Sequence, residues 1–253
     1  MSPLEIALVV FSCTLCSGLV GMVLHDRLPE RHWDDNTRDV VKTVMGLVAT
    51  VSALVLGLLI ASGSASYERQ NNELKALSAN VMLIDRTLEM YGPDAKPVRD
   101  ALRDSVRQAH DRIWTRDGVK AENLNSTATR SGGDAAFALV LALSPKTDAE
   151  RELKTLALQQ AEVIASERLT MVQQLGGTIP WPMLAVLIFW LSMLYLGVGL
   201  LSRLNGTAAM AVFIGALTVA GAIFLILELS DPYRGVIRLS DRPLLIALAQ
   251  IDQ

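Results

Sequence analysis

A chain of 253 residues with 51% hydrophobic and only 19% charged residues is more apolar than a soluble domain, which carries about 25% charged residues. Its formal net charge of −3 gives no basic excess, which argues against a nucleic-acid-binding protein. The apolar residues lie in four long blocks separated by stretches rich in Arg, Asp and Glu, a distribution typical of membrane proteins.

Each of the four blocks is long enough to cross a membrane, because a hydrocarbon core of roughly 30 Å needs about 20 helical residues. The first block runs from Ile6 to Leu24 and the second from Thr43 to Tyr67. The third becomes continuously apolar near Ile179 and reaches Ser202, and the fourth runs from Leu204 to Leu227. No Lys or Arg precedes the first block, so we expect a retained anchor rather than a cleaved signal peptide. The sequence therefore predicts an all-α protein with four transmembrane helices in a lipid bilayer.

These spans divide the chain into four regions. Residues 1–67 hold the first two spans and their loop, and residues 68–177 form a helical extramembrane domain. Residues 178–228 hold the third and fourth spans, and residues 229–253 form a turn and a short amphipathic helix. Basic residues of the first loop and of the C-terminal tail give opposite answers under the positive-inside rule, so the sequence leaves the sidedness open.

The extramembrane domain has helical periodicity throughout. Apolar residues at three- and four-residue steps from Leu74 to Leu88 continue the second span outward until Gly92-Pro93. A second helix, from Val98 to Ile113, carries arginines matched by aspartates, which indicates a solvated, ion-paired face rather than a nucleic-acid surface. A polar loop over Asn123–Gly133 and a short helix over Ala135–Leu143 are expected next.

Two further helix starts can be recognised from their capping residues. Thr147 and Glu150 form a capping box, so we expect a helix from there to Gly176-Gly177. Ser240 is a good N-cap for a helix over Pro243–Ile251. Its apolar residues share one face, which suits a membrane surface or a neighbouring subunit.

The sequence contains no recognisable catalytic, cofactor or metal-binding motif. Its three histidines, His25, His32 and His110, are scattered along the chain. Cys13 and Cys16 form a C-x-x-C inside the first span, where nothing stabilises a thiolate, and we interpret them as two small buried residues. We therefore expect neither an enzyme nor a metal or cofactor protein.

The second span carries small or weakly polar residues at steps of three and four, which places them along one side of a helix. We name this set the small-residue face; its members are Gly46, Thr50, Ala53, Gly57, Ala61 and Ser64. Small residues let helix backbones approach closely, so the face could pack against another helix. Small and hydroxyl-bearing residues can also line a narrow pore. Both interpretations stay open on the residues alone.

The fourth span ends at Glu228, and a turn with Asp231, Pro232 and Tyr233 follows. A carboxylate is expensive inside a bilayer but reaches the interface easily from the end of a span. We therefore expect these four residues to form an interfacial turn, with Pro232 where the chain leaves the helix.

Several segments together resemble the bacterial bestrophin-like family. They are the second span from Gly46 to Ile60 with Ser66-Tyr67, the close of the chain from Ile226 through Pro232-Tyr233 to Ser240–Leu244, and the loop from Arg27 to Lys42. The resemblance implies a link to bestrophins, homo-oligomeric anion channels with four spans per subunit and a pore lined by the second. The pore-lining candidates it implies here are Gly46, Thr50, Ala53, Gly57 and Ser64. Bestrophin necks use aromatic side chains, whereas residues 44–66 contain none, so the permeant ion stays open.

The sequence thus favours a homo-oligomeric protein of the bacterial inner membrane that conducts small inorganic ions. The alternative is a non-conducting scaffold or sensor whose helical domain binds a partner. A motor-stator subunit also has four spans and an insert after the second, but no span here carries an acid near its centre.

Overall fold

The computed structural model describes residues 2–27, 35–114, 127–174, 181–230 and 237–251. Within these ranges the chain forms eight α-helices and one 3₁₀ turn, Pro93–Ala95, and contains no strand, which confirms the predicted all-α class. The helices are α1 (Pro3–Arg27), α2 (Asp35–Tyr91), α3 (Lys96–Ile113), α4 (Thr127–Ala142), α5 (Asp148–Gln174), α6 (Trp181–Leu200), α7 (Gly206–Ser230) and α8 (Arg242–Ile251). The helices α1, α2, α6 and α7 are long and apolar enough to cross a membrane, as predicted.

The helices belong to two compact units. The membrane unit comprises Met1–Ser66 and Thr178–Ser230, and the extramembrane unit comprises Tyr67–Gly177 and Asp231–Gln253. The C-terminal residues therefore fold with the middle of the chain, although the two are separated in sequence by the third and fourth spans.

The long α2 contributes to both units. Its 57 residues continue the second span to Tyr91, where the sequence predicted the stop. The helix ends there because Gly92 has a φ of 107°, in the left-handed region that glycine adopts easily, and Pro93 has no N–H to continue the hydrogen bonding.

Glycines set the packing of the membrane unit. The helix α1 packs against α6 and α7, and its Gly21 lies directly against the backbone of α6. A Cβ at Gly21 would collide with the carbonyl oxygen of Leu196, and one at Gly199 would collide with that of Gly18. Only glycine allows two helices to approach this closely. The core beside this crossing consists of Val10, Leu59, Leu184, Leu187, Leu191, Ile223 and Ile226.

The two cysteines of α1 lie on an outward face. Cys13 and Cys16 are both exposed and free, so the interpretation of them as buried residues is wrong. The buried position between them is Thr14. Its hydroxyl donates a hydrogen bond to the carbonyl of Val10 at 2.8 Å, so the buried polar group has a partner.

The extramembrane unit has a core drawn from all five of its helical segments. Its buried residues are Val81, Ile84, Leu88, Tyr91, Ala95, Val98, Leu102, Val106, Val140, Leu143, Ala157, Leu244, Leu248 and Ile251. The apolar seam that the sequence predicted along α2 is therefore the wall of this core, with Leu74 in a second cluster beside it.

The helix α4 begins at Thr127, eight residues before the predicted start at Ala135. The expected polar loop over residues 123–133 is therefore wrong from residue 127 onward. The helix continues through Gly133, where a Cβ would lie only 3.0 Å from Nη1 of Arg168 on α5. The glycine makes room for a neighbouring side chain.

The start of α5 is capped as the capping box predicts, with one change. The N–H of Glu150 donates to the Thr147 hydroxyl at 3.1 Å. The Glu150 carboxylate accepts from the N–H of Lys146 at 2.6 Å, one residue before the usual partner in this motif.

The C-terminal helix docks on its own chain. The apolar residues of α8 that were expected to face a membrane or another subunit, Leu244, Leu248 and Ile251, are buried in the core instead, so that expectation is wrong. Polar contacts with α3 hold the segment at both ends. Arg103 donates to the carbonyl of Ile251, and the Trp114 indole N–H donates to the carbonyl of Leu239 at 3.2 Å.

A buried ion pair joins α2 to α3. The Arg99 guanidinium donates to both carboxylate oxygens of Asp85, at 2.7 and 2.9 Å, and this hydrogen bonding raises the pKa of Arg99 above its ordinary value. Arg99 is therefore paired with a buried carboxylate of α2, whereas the sequence predicted that the arginines of α3 lie on a solvated, ion-paired face.

Removing the Asp85 carboxylate is expected to destabilise the extramembrane unit. In Asp85→Ala the guanidinium stays in a side chain that is only 24% exposed, without its partner, at a cost of about 2–3 kcal/mol. Hydrogen–deuterium exchange of the α3 amides measures the loss of protection. The control is Asp100→Ala, which removes an exposed carboxylate 3.6 Å from Arg103 and should cost less than about 0.5 kcal/mol. Equal effects would contradict a special role for the buried pair.

Candidate functional site

The small-residue face of α2 is left uncovered by the membrane unit. Gly46, Thr50, Ala53 and Gly57 are exposed, and Ser64 is partly buried. A Cβ built on Gly46 or Gly57 would meet no atom within 4 Å. The face therefore does not pack against any described helix of its own chain.

Another side of α2 packs into the core of the membrane unit and against α7. Ser52 and Leu59 are only 2% and 7% exposed, and Leu59 belongs to the core of the membrane unit. Gly63 on the same side lies close to α7, since a Cβ there would be 3.3 Å from that of Leu229. With 3.6 residues per turn, this packed side lies roughly 130° around the helix from the small-residue face.

Large apolar side chains form a third side of α2. Leu47, Leu54 and Leu58 are each about two-thirds exposed or more. Only 11% of the apolar window of α2 is buried, against 28% to 33% for the other three spans. The second span is therefore the one that its own chain covers least, and its uncovered surface has two chemically different sides, one small and one bulky.

The chemistry of the small-residue face is that of a neutral, weakly polar surface. The Thr50 hydroxyl donates to the carbonyl of Gly46 at 2.9 Å, so its lone pairs point away from the helix backbone and can accept. No side chain of this face titrates, so it offers neither an acid nor a base for catalysis. Among the described residues, no group of three His, Cys, Asp or Glu side chains is placed to hold a metal ion.

Glu228, near the C-terminal end of α7, is buried, with 3% of the residue exposed. It takes part in an interaction within the chain. Its place at a membrane interface stays a prediction. The other members of the predicted turn, Asp231, Pro232 and Tyr233, lie outside the described residues.

Ser52 is a position that the sequence reasoning missed. It is buried on the packed side of α2, and its hydroxyl oxygen has no hydrogen-bond partner among the described residues. Ser52 could have been noticed in the sequence, because it is a polar residue in an apolar span. It was left out of the small-residue face because it does not fall on the three- and four-residue steps that define that face.

The four apolar helices of membrane-spanning length, together with the extramembrane unit, define a multi-pass α-helical membrane protein. The solved structures most useful for comparison are crystal structures of a bacterial bestrophin homologue from Klebsiella pneumoniae. One substituted form aligns with a TM-score of 0.67 and 14% identity, over 99% of this chain and 97% of that chain. A structure of this homologue phased from zinc aligns with a TM-score of 0.65 and 12% identity, over 96% of each chain. At this identity the similarity establishes a common fold.

The family assignment follows from the sequence match. The bestrophin-like domain family matches residues 13–244, which is nearly the whole chain. The protein belongs to the bestrophin-like family. No curated protein matches the chain significantly.

Proposed function

We propose that this protein is an ion channel of the bacterial inner membrane, formed by several copies of the chain around a pore that α2 lines. The observation that carries the proposal is the open space at Gly46 and Gly57 on the small-residue face. A face used for packing within the chain would be covered, and this one is not. The family resemblance, which implies homo-oligomeric channels, supports the same conclusion.

The two uncovered sides of α2 fit two different neighbours in such an assembly. The bulky side with Leu47, Leu54 and Leu58 suits lipid or a neighbouring subunit, because large apolar side chains make dispersion contacts equally with acyl chains and with a packed partner. The small-residue face suits a lumen, because small side chains leave room and Thr50 presents hydroxyl lone pairs. The proposed pore-lining residues are Gly46, Thr50, Ala53, Gly57 and Ser64.

The permeant species are small inorganic ions. Residues 44–66 contain neither a charged nor an aromatic side chain, so this part of the proposed pore has no charged ring to select strongly by sign. Selection there would depend on pore width and on the hydroxyl and carbonyl dipoles.

Flux from liposomes tests the proposal. Purified protein reconstituted into vesicles loaded with potassium chloride is expected to release chloride or potassium well above the rate of protein-free vesicles. Ion-selective electrodes for both ions, read over a range of membrane potential and pH, detect either outcome. Absence of flux for both ions at every condition, from protein shown to be assembled, would leave a non-conducting scaffold or sensor as the better assignment.

A further inference from the structure

The extramembrane unit contains a cavity of about 470 Å³. Its walls come from α2, α3, α4 and α5, with Leu244 of α8 and Trp114 completing them. Protein interiors rarely contain voids much larger than a water molecule, whereas binding sites for small molecules span roughly 300–1,000 Å³. The size of this cavity is therefore that of a ligand site.

The walls of the cavity are almost entirely apolar. The sides formed by α2 and α3 present aliphatic residues such as Leu77, Val81 and Leu102. The one hydroxyl on these sides, that of Ser105, donates to the carbonyl of Leu102 at 2.7 Å and needs no further partner. An occupant gains by burying apolar surface there and would lose by burying a polar group, because nothing on these walls would pair with it.

The charged groups of the cavity mark its mouth. Among the described lining residues they are Asp134, Glu162 and Arg168, all on α4 and α5, and both carboxylate residues are exposed. The Arg168 guanidinium lies against Gly133, beside Asp134. Two carboxylates and one guanidinium give this rim a net charge of −1 (1 − 2), which disfavours an anionic head group.

From these walls and this rim, we infer that the cavity is a binding site for one uncharged lipophilic small molecule, with its apolar body between α2, α3 and α5 and any polar end at the α4–α5 mouth. The excess of carboxylate among the described residues of the mouth disfavours fatty acids relative to uncharged molecules. The inference does not depend on ion conduction, because binding is measured without flux.

Quenching of Trp114 fluorescence tests the inference directly, since this indole is part of the cavity wall. The chain has four tryptophans, so Trp33→Phe, Trp181→Phe and Trp190→Phe leave Trp114 as the single tryptophan in the full-length protein. A terminally brominated dodecanol, added to this protein in lipid nanodiscs, is expected to quench Trp114 with saturation. The matched brominated dodecanoic acid should bind roughly fivefold more weakly, as expected for one unfavourable charge contact.

Filling the cavity provides the matched control. Ala165→Phe on α5 places a ring at a lining position and should weaken the dodecanol response by roughly tenfold or more. Ser166→Phe adds the same ring at the next residue, which does not line the cavity, and should leave the response unchanged. Ala109→Phe on α3 repeats the filling from the opposite wall, so misfolding of one variant, detected by circular dichroism, does not decide the result.

Each outcome has a defined meaning. Saturable quenching that both filling variants weaken and Ser166→Phe retains supports the site. Linear quenching without saturation, or quenching unaffected by either filling variant, overturns it. An acid that binds as tightly as the alcohol overturns the assigned ligand class.

Discussion

Substituting leucine for Gly57 is expected to abolish ion flux while the assembled particle stays intact. A Cβ built at Gly57 has no neighbouring atom within 4 Å, so the added side chain begins in open space. In a narrow lumen, one isobutyl group per copy would both constrict the pore and favour its dewetting. We expect at least a roughly tenfold loss of flux. Vesicle efflux at matched protein density measures it, and size-exclusion chromatography with light scattering measures the assembly.

The control for this experiment is the same substitution at another open glycine. Gly221 on α7 also has no atom within 4 Å of its Cβ position, so Gly221→Leu should leave flux unchanged. Thr50→Trp provides a second block on the small-residue face. If Gly57→Leu dissociates the particle instead, the face is a subunit contact, and α2 does not line a lumen at that position.

Substituting alanine for Gly199 is expected to prevent the membrane unit from folding stably. A methyl group there would collide with the carbonyl oxygen of Gly18 and lie 3.0 Å from the Cα of Gly21. Both are backbone atoms, so no side chain can rotate away and the helices α1 and α6 must separate. We expect a cost of about 3 kcal/mol or more. The fraction of monodisperse protein that survives a heating series measures the destabilisation.

A stability change of the opposite sign is expected for Gly221, where an added Cβ has no neighbouring atom within 4 Å. Gly221→Ala adds the same methyl group to a helix at a site with no neighbour, and alanine favours a helix over glycine by roughly 0.5–1 kcal/mol. The heating series should therefore show equal or slightly greater survival than for the unsubstituted protein. Loss of stability at both positions would contradict a specific backbone contact between α1 and α6.

The four spans could be predicted from the sequence because hydrocarbon imposes a simple requirement of length and absence of charge. The course of α2 beyond the membrane was equally accessible, since the apolar seam from Leu74 to Leu88 matches its buried face. Its end could be predicted as well, because Gly92-Pro93 stops a helix through local backbone chemistry. These features depend on residues close together in the chain.

Features that depend on the rotation of one helix against another could not be predicted. Small residues occur in all four spans, but only the structure shows that Gly21 and Gly199 carry the closest crossing while Gly57 stays open. Nothing in the residue pattern of the first span indicated that Cys13 faces outward and Thr14 inward. The pore-lining role of the small-residue face remains a prediction.

Two errors in the extramembrane domain have the same origin. The run before Ala135 contains Gly132-Gly133, which indicates a loop, yet α4 continues through it, and Gly133 leaves room for the Arg168 side chain of α5. The amphipathic character of α8 was recognised correctly, but its partner was not, because Leu244 packs on residues more than a hundred positions earlier in the chain. Periodicity identifies an apolar face and does not identify what covers it.

The docking of α8 constrains the order in which this protein can mature during synthesis. The extramembrane core includes Leu244 and Ile251, which are translated only after α6 and α7. Until then, the carbonyl groups of Leu239 and Ile251, which accept from Trp114 and Arg103, are not yet in place. The extramembrane core is therefore completed only after the last two spans have been synthesised, and the apolar surface that α8 covers stays open until that point.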